Sequence, residues 1–157
     1  MKFLKMKRDH IALILVALVT VSCFSISDVS FDEVSRVTSP DGRMDAILIE
    51  TNGGATTSFG YYVFVVPPGV KLSKRDDKYI VASMYDTVRN QGAYGVNLRW
   101  PVKERLQIVY LRSKTADVLA PTLNYDGFDV AVELISGVED PAAPPGGMLY
   151  NLQKTPR

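Results

Sequence analysis

The stretch Val96–Tyr110, VNLRWPVKERLQIVY, decides the fold class. Apolar and polar residues alternate in it on both sides of the short segment Pro101–Glu104, and this period of two places every second side chain on the same face of a strand. The stretch therefore predicts an antiparallel hairpin with one face on a core, and Trp100 is expected to anchor that core.

The same pattern continues on either side of this hairpin. Further strands are predicted at residues 34–37, 44–50, 61–66, 79–85 and 128–135. Turn-forming residues such as those of Ser39-Pro40-Asp41-Gly42 separate them, and residues 113–124 fit neither a strand nor a loop clearly. With short loops and no amphipathic helix, the chain is predicted to be all-β, a single antiparallel sandwich or curled meander of about six to seven strands.

An export segment, forming a signal or anchor helix, is predicted to precede the β domain. A cationic head is followed by the apolar run Ile11–Val21, which is typical of a segment that enters a membrane. Thr20-Val21-Ser22-Cys23 resembles the lipobox of bacterial lipoproteins, which would make Cys23 the site of lipid attachment. Cleavage before Asp28 and retention as an uncleaved anchor are the alternatives. Lipidation is favoured because it explains the position of the only cysteine.

These patterns divide the chain into four parts, and they predict an exported domain that faces the periplasm or the cell exterior and is tethered to the membrane by its N-terminus. The parts are a signal peptide or membrane anchor at 1–22, a linker at 23–33, the β domain at 34–136, and a Pro/Gly-rich flexible tail at 137–157.

Charge and residue usage exclude several functions for the exported part. The chain has 18 basic and 17 acidic residues, and without residues 1–22 it keeps fourteen and sixteen, a net charge of −2. A slightly acidic domain without a basic stripe is a poor nucleic-acid binder. The only histidine, His10, also lies in the export segment, so catalytic triads and zinc sites built on His or Cys are excluded from the domain. No cofactor, metal or catalytic residue is predicted.

Carboxylates are the acid–base groups that remain. Glu50 paired with Asp86 or Glu104 would suit a hydrolase of cell-wall glycans, whereas solvated charges at strand ends are the simpler interpretation. Arg43 and Asp45 are expected to form an exposed ion pair of little energetic weight.

The candidate ligand loop follows the second predicted strand. Gly53 and Gly54 allow backbone N–H groups to turn toward a ligand, and Thr56, Thr57 and Ser58 offer hydroxyls that suit an anion or a sugar. The alternative is a hairpin connection whose hydroxyls satisfy its own backbone.

Strand tyrosines are a second candidate surface. They would form a platform on which a sugar stacks, or they would pack with their hydroxyls at the rim of the sheet. They are Tyr61, Tyr62, Tyr79, Tyr85 and Tyr94.

The motifs Ser39-Pro40-Asp41-Gly42 and Gly54-Ala55-Thr56-Thr57-Ser58-Phe59, followed by the Val96–Tyr110 hairpin, resemble those of a family of small, uncharacterised bacterial envelope proteins and lipoproteins, a domain of unknown function. The resemblance covers about Val34 to Ile135 and implies a single domain without a known activity. We therefore expect a non-catalytic envelope protein that binds a protein or glycan partner, with a glycan hydrolase dependent on Asp and Glu as the alternative.

Overall fold

The computed structural model describes residues 29–74, 76–88, 95–146 and 150–154. Residues 1–22, for which the sequence predicts an export segment, Cys23 and Tyr94 lie outside these residues. Within the described ranges, no helix is both long and apolar enough to cross a membrane.

The described chain is all-β, as the sequence predicts, and its nine strands form two sheets. The strands are β1 Asp32–Thr38, β2 Asp45–Thr51, β3 Gly60–Val66, β4 Ile80–Tyr85, β5 Val96–Val102, β6 Arg105–Tyr110, β7 Thr115–Val118, β8 Thr122–Tyr125 and β9 Phe128–Ile135. The five-stranded sheet has the order β1-β2-β3-β4-β7, and the four-stranded sheet has the order β5-β6-β9-β8.

Two features correct the expected six to seven antiparallel strands. The unassigned segment 113–124 supplies two additional short strands, because β7 pairs with β4 in one sheet and β8 pairs with β9 in the other. β9 lies parallel to β6, with Leu106 opposite Val132, so the four-stranded sheet is mixed. The reason is that the chain leaves this sheet after β6, contributes β7 to the other sheet, and then returns.

The β1–β2 connection shows how local sequence sets the hairpin. The Gly42 N–H donates to the Ser39 carbonyl at 2.9 Å, and the Ser39 N–H donates to the Met44 carbonyl at 2.8 Å. Gly42 has φ of +73°, which a residue with a side chain adopts at a cost. The Ser-Pro-Asp-Gly sequence therefore forms the turn that its residue types predict.

One core lies between the two sheets and a second lies outside the five-stranded sheet. Apolar side chains from both sheets, among them Leu48, Val63 and Ile108, are fully buried in the first core. The second core includes Phe64 and is covered by Leu72 and Phe31. β3 is therefore buried on both faces along its second half, which confirms the interpretation of its continuous apolar run.

β1, an edge strand of the five-stranded sheet, contacts β5, an edge strand of the four-stranded sheet, on one side of the molecule. Trp100 on β5 is half-buried against the core between the sheets, and its indole N–H donates to the Val37 carbonyl on β1 at 2.9 Å. The tryptophan expected to anchor the core therefore also joins the two sheets.

The described residues after β9, which we call the C-terminal strap (137–146 and 150–154), lie against this same side. Asp140 is buried beside β5, where its carboxylate accepts hydrogen bonds from the side chains of Asn97 and Arg99. Further along, the Leu152 N–H donates to the Glu33 carbonyl on β1 at 2.8 Å. The Pro- and Gly-rich composition predicts a flexible tail, and the described part of this segment makes hydrogen bonds to both edge strands, β5 and β1.

Candidate binding site

The predicted ligand loop connects β2 to β3 and uses much of its polarity internally. The Gly54 N–H donates to the Asn52 side-chain oxygen at 2.8 Å, and Gly54 has φ of +101°. The Thr57 N–H and hydroxyl both donate to the Gly54 carbonyl, at 3.1 and 3.2 Å. Thr56 is exposed. These bonds are the ones expected of a hairpin connection, so the loop by itself is a poor anion cradle.

The end of the loop is fastened to β4. The Ser58 N–H donates to the Tyr85 hydroxyl at 3.1 Å, and the Asp86 N–H donates to the Phe59 carbonyl at 2.9 Å. The loop thereby becomes one wall of a surface on the outer side of the five-stranded sheet.

Two tyrosines are the prominent groups on that surface. Tyr62 on β3 pairs with Ser83 on β4, and Tyr85 pairs with Gly60, so both tyrosines lie on the same face. Their exposed fractions are 37% and 40%, high for aromatic side chains in a sheet. We call the surface formed by Tyr62, Tyr85 and the residues that line the depression beside them the tyrosine face.

A shallow depression of about 290 Å³ lies beside these tyrosines. Gly60 forms part of the floor of this depression. A Cβ atom at this position would lie only 2.7 Å from the Thr51 Oγ1 atom, so a larger residue would displace the Thr51 side chain. The residues that line the depression are Val29, Thr51, Gly53, Thr57, Ser58, Gly60, Tyr62, Ser83, Met84, Tyr85 and Thr115. The structure thus brings three predicted loop residues, Gly53, Thr57 and Ser58, together with two of the predicted tyrosines.

Tyr61 and Tyr79, the other two tyrosines of the predicted platform that the structure describes, do not join it. Tyr61 is buried on the opposite face of β3, and its hydroxyl donates to the Glu50 carboxylate at 2.7 Å. Tyr79 packs against the second core.

Two of the acids singled out in the sequence, Glu50 and Asp45, are buried, whereas Asp86 and Glu104 are exposed, so the buried Glu50 cannot face either of them across an open groove. Glu50 was expected at an exposed strand end or in a catalytic pair, but it is 1% exposed. Asp45 was expected to pair with Arg43, but it is 3% exposed and binds Arg36 instead. Arg43 lies over the Phe128 ring at 4.8 Å.

Arg36 is the centre of a buried charged cluster on the outer face of β1 and β2. Its guanidinium binds Glu33 at 2.8 and 3.0 Å, Asp45 at 2.8 Å and the Val70 carbonyl at 2.9 Å. Burial lowers the pKa of Arg36, but the hydrogen bonds that its guanidinium donates to Glu33 and Asp45 outweigh this effect and leave that pKa raised. The cluster borders a polar depression of about 400 Å³ and holds the loop after β3 against the sheet.

The described part of the chain has no cluster of three or more His, Cys, Asp or Glu side chains that would hold a metal ion.

Several residues that line the depression were not predicted from the sequence. Ser83 and Thr115 line the depression from β4 and β7, but single hydroxyl residues in strands give no signal of their own. Alternation along β4 would have placed Ser83 on the face of Tyr85. Only strand pairing places Thr115 beside Tyr85.

Comparison with known proteins identifies no family for this chain. No family model, curated protein or solved structure matches the chain.

Proposed function

We propose that the chain is a non-catalytic binding protein of the bacterial cell envelope, tethered to the membrane by its N-terminal segment. The observation that carries the proposal is the tyrosine face, where Tyr62 and Tyr85 stay exposed on one side of a sheet beside a hydroxyl-rich loop. Exposed aromatic groups next to polar ones are typical of recognition surfaces.

The placement of the acids supports binding over glycan hydrolysis. A hydrolase of this kind needs two carboxyl groups facing a substrate across a groove, about 5 to 9 Å apart. Glu50 accepts a hydrogen bond from Tyr61 inside the core, and Glu33 and Asp45 share the Arg36 guanidinium. These acids stabilise the fold, so we assign no catalytic residue.

Photocrosslinking in bacteria that carry this protein would test the binding surface. The full chain is produced with p-benzoylphenylalanine in place of Tyr62, and a matched chain carries it in place of Tyr125, which is 37% exposed on β8. We expect irradiation to give a covalent adduct from position 62 and none from position 125. Equal adducts from both positions, or none from position 62, would contradict the proposal.

The tether is tested separately by palmitate labelling. We expect the wild-type chain to take up label and the Cys23→Ala chain to lose it. Absence of label from both chains would overturn lipidation and leave the anchor or secretion.

A further inference from the structure

The chemistry of the tyrosine face restricts what it can bind. None of the described residues that line the depression is charged. Just beyond the lining lie one anion and one cation: Asp117 on β7 opposite Ser83, and Lys74, whose ammonium group donates to the Val29 carbonyl. Phosphate and carboxylate ligands are held by cations or by clustered N–H donors, so a lining without charged residues favours uncharged ligands.

Hydroxyl groups surround the aromatic rings instead. They come from three threonines, two serines and the two tyrosines: Thr51, Thr57, Thr115, Ser58, Ser83, Tyr62 and Tyr85. A hydroxyl both donates and accepts a hydrogen bond, so it complements ligands that carry hydroxyls themselves. The rings add an apolar surface whose polar edge stays in water.

A hydrogen bond joins Tyr85 to the loop. Its hydroxyl accepts the Ser58 N–H at 3.1 Å, so the ring bridges β4 and the loop in the absence of a ligand. Fixed aromatic groups bind with a smaller loss of side-chain entropy.

We infer that the ligand of the tyrosine face is an uncharged glycan segment, an inference that rests on the proposed binding function of this face. A pyranose ring has an apolar face of C–H groups that packs on a tyrosine ring, and hydroxyls at its rim that bond with the surrounding serines and threonines. The depression of about 290 Å³ is at the small end of ligand sites, which fits a short glycan segment and not a folded protein surface.

The test measures binding of the purified full chain in detergent to a printed array of neutral and acidic oligosaccharides. We expect retention on neutral oligosaccharides and none on acidic ones such as oligogalacturonate. Tyr62→Ala and Tyr85→Ala should each weaken retention about tenfold, because each removes an aromatic ring on which the sugar packs. Tyr125→Ala, at a site of equal exposure to Tyr62, should retain wild-type binding.

A second variant probes the floor without removing a ring. Gly60→Ala places a Cβ atom 2.7 Å from the Thr51 Oγ1 atom, so the Thr51 side chain must move. Because Thr51 lines the depression, retention of the glycan should fall. Thermal unfolding of each variant, followed by circular dichroism, shows whether it is folded. No retention on neutral oligosaccharides, or retention that Tyr62→Ala leaves unchanged, would overturn the inference.

The two proposals fail in different ways. A protein adduct at position 62 combined with no retention on the array would keep the binding function and overturn the glycan ligand. Absence of both would overturn both.

Discussion

Arg36 on β1 and Asp45 on β2 form a largely buried ion pair with an N–O distance of 2.8 Å, whereas the sequence predicts Arg43 as the partner of Asp45. Side-chain exposures of 13% and 5% mean that each charge depends on its partner more than on water. Glu33 completes the cluster from the same strand as Arg36.

Replacing Arg36 by Met should therefore destabilise the fold strongly. The change leaves two buried carboxylates without their cation, and breaking a buried pair in this way costs about 3 to 5 kcal/mol. Urea unfolding followed by Trp100 fluorescence measures the free energy of unfolding. The matched control is Arg105→Met, whose pair with Glu133 is half exposed and should contribute about 1 kcal/mol or less. Equal losses in the two variants would show that the cluster is not a stability centre.

The same cluster predicts loss of stability in acid. Burial raises the pKa of Asp45, but hydrogen bonds from Thr38, Arg36 and the Gly69 N–H outweigh it and leave that pKa below its usual value. The unfolded chain then takes up the Asp45 proton at a higher pH than the folded chain does. The stabilisation is complete above the unfolded pKa of about 4 and is lost as pH falls through the folded value.

Urea unfolding at neutral pH and at about pH 3 would measure this loss. In Asp45→Asn the decrease in stability on acidification should be smaller than in wild type. Asp129→Asn, which removes the same charge at an exposed position on β9, serves as the control. An unchanged slope in Asp45→Asn would contradict the assignment.

The C-terminal strap should loosen when Asp140 is replaced. Asp140 accepts hydrogen bonds from Asn97 and from the Ala142 N–H, and these bonds lower its pKa against the opposing effect of burial. Loss of a buried acceptor of this kind costs about 1 to 3 kcal/mol. In Asp140→Ala we expect hydrogen exchange at Ala142 and Ala143 to accelerate about tenfold or more. Glu139→Ala, one position earlier and exposed, should exchange as wild type does.

Tyr61→Phe tests whether the Glu50 carboxylate needs the hydroxyl that donates to it. The change removes one hydrogen bond from a buried charged group, and we expect a loss of about 1 to 3 kcal/mol in the free energy of unfolding. Tyr125→Phe removes a hydroxyl from an exposed tyrosine and should change stability by less than about 0.5 kcal/mol. A result for Tyr61→Phe within that range would mean that water or another donor replaces the hydroxyl.

Local patterns predicted the elements whose signal is in consecutive residues. The β5–β6 hairpin, the Ser39–Gly42 turn and the doubly buried half of β3 follow from alternation and turn-forming residues. β7 and β8 were not predicted because each has only four residues, and most of those are exposed or half-buried. The parallel pairing of β6 with β9 joins residues more than twenty positions apart, so no local window contains it.

The candidate site was predictable by residue type but not by position. Tyr62 and Tyr85 were among five candidate tyrosines, and pairing of β3 with β4 places these two on the outer face. The buried acids were misjudged because a charged residue in an alternating strand usually faces water. Asp45 is buried because the loop after β3 covers the outer face there, and its Gly69 N–H donates to the Asp45 carboxylate.

The alternation of the chain between the two sheets also bears on how the protein reaches its structure. β1 to β4 build one sheet, β5 and β6 begin the other, β7 completes the first, and β8 and β9 complete the second. No single cut of the chain separates the sheets, and the four-stranded sheet is incomplete until β9 fills the place between β6 and β8. Folding should therefore be one slow, all-or-none event that waits for β9, and a chain that stops before Phe128 should be a target for proteases during synthesis.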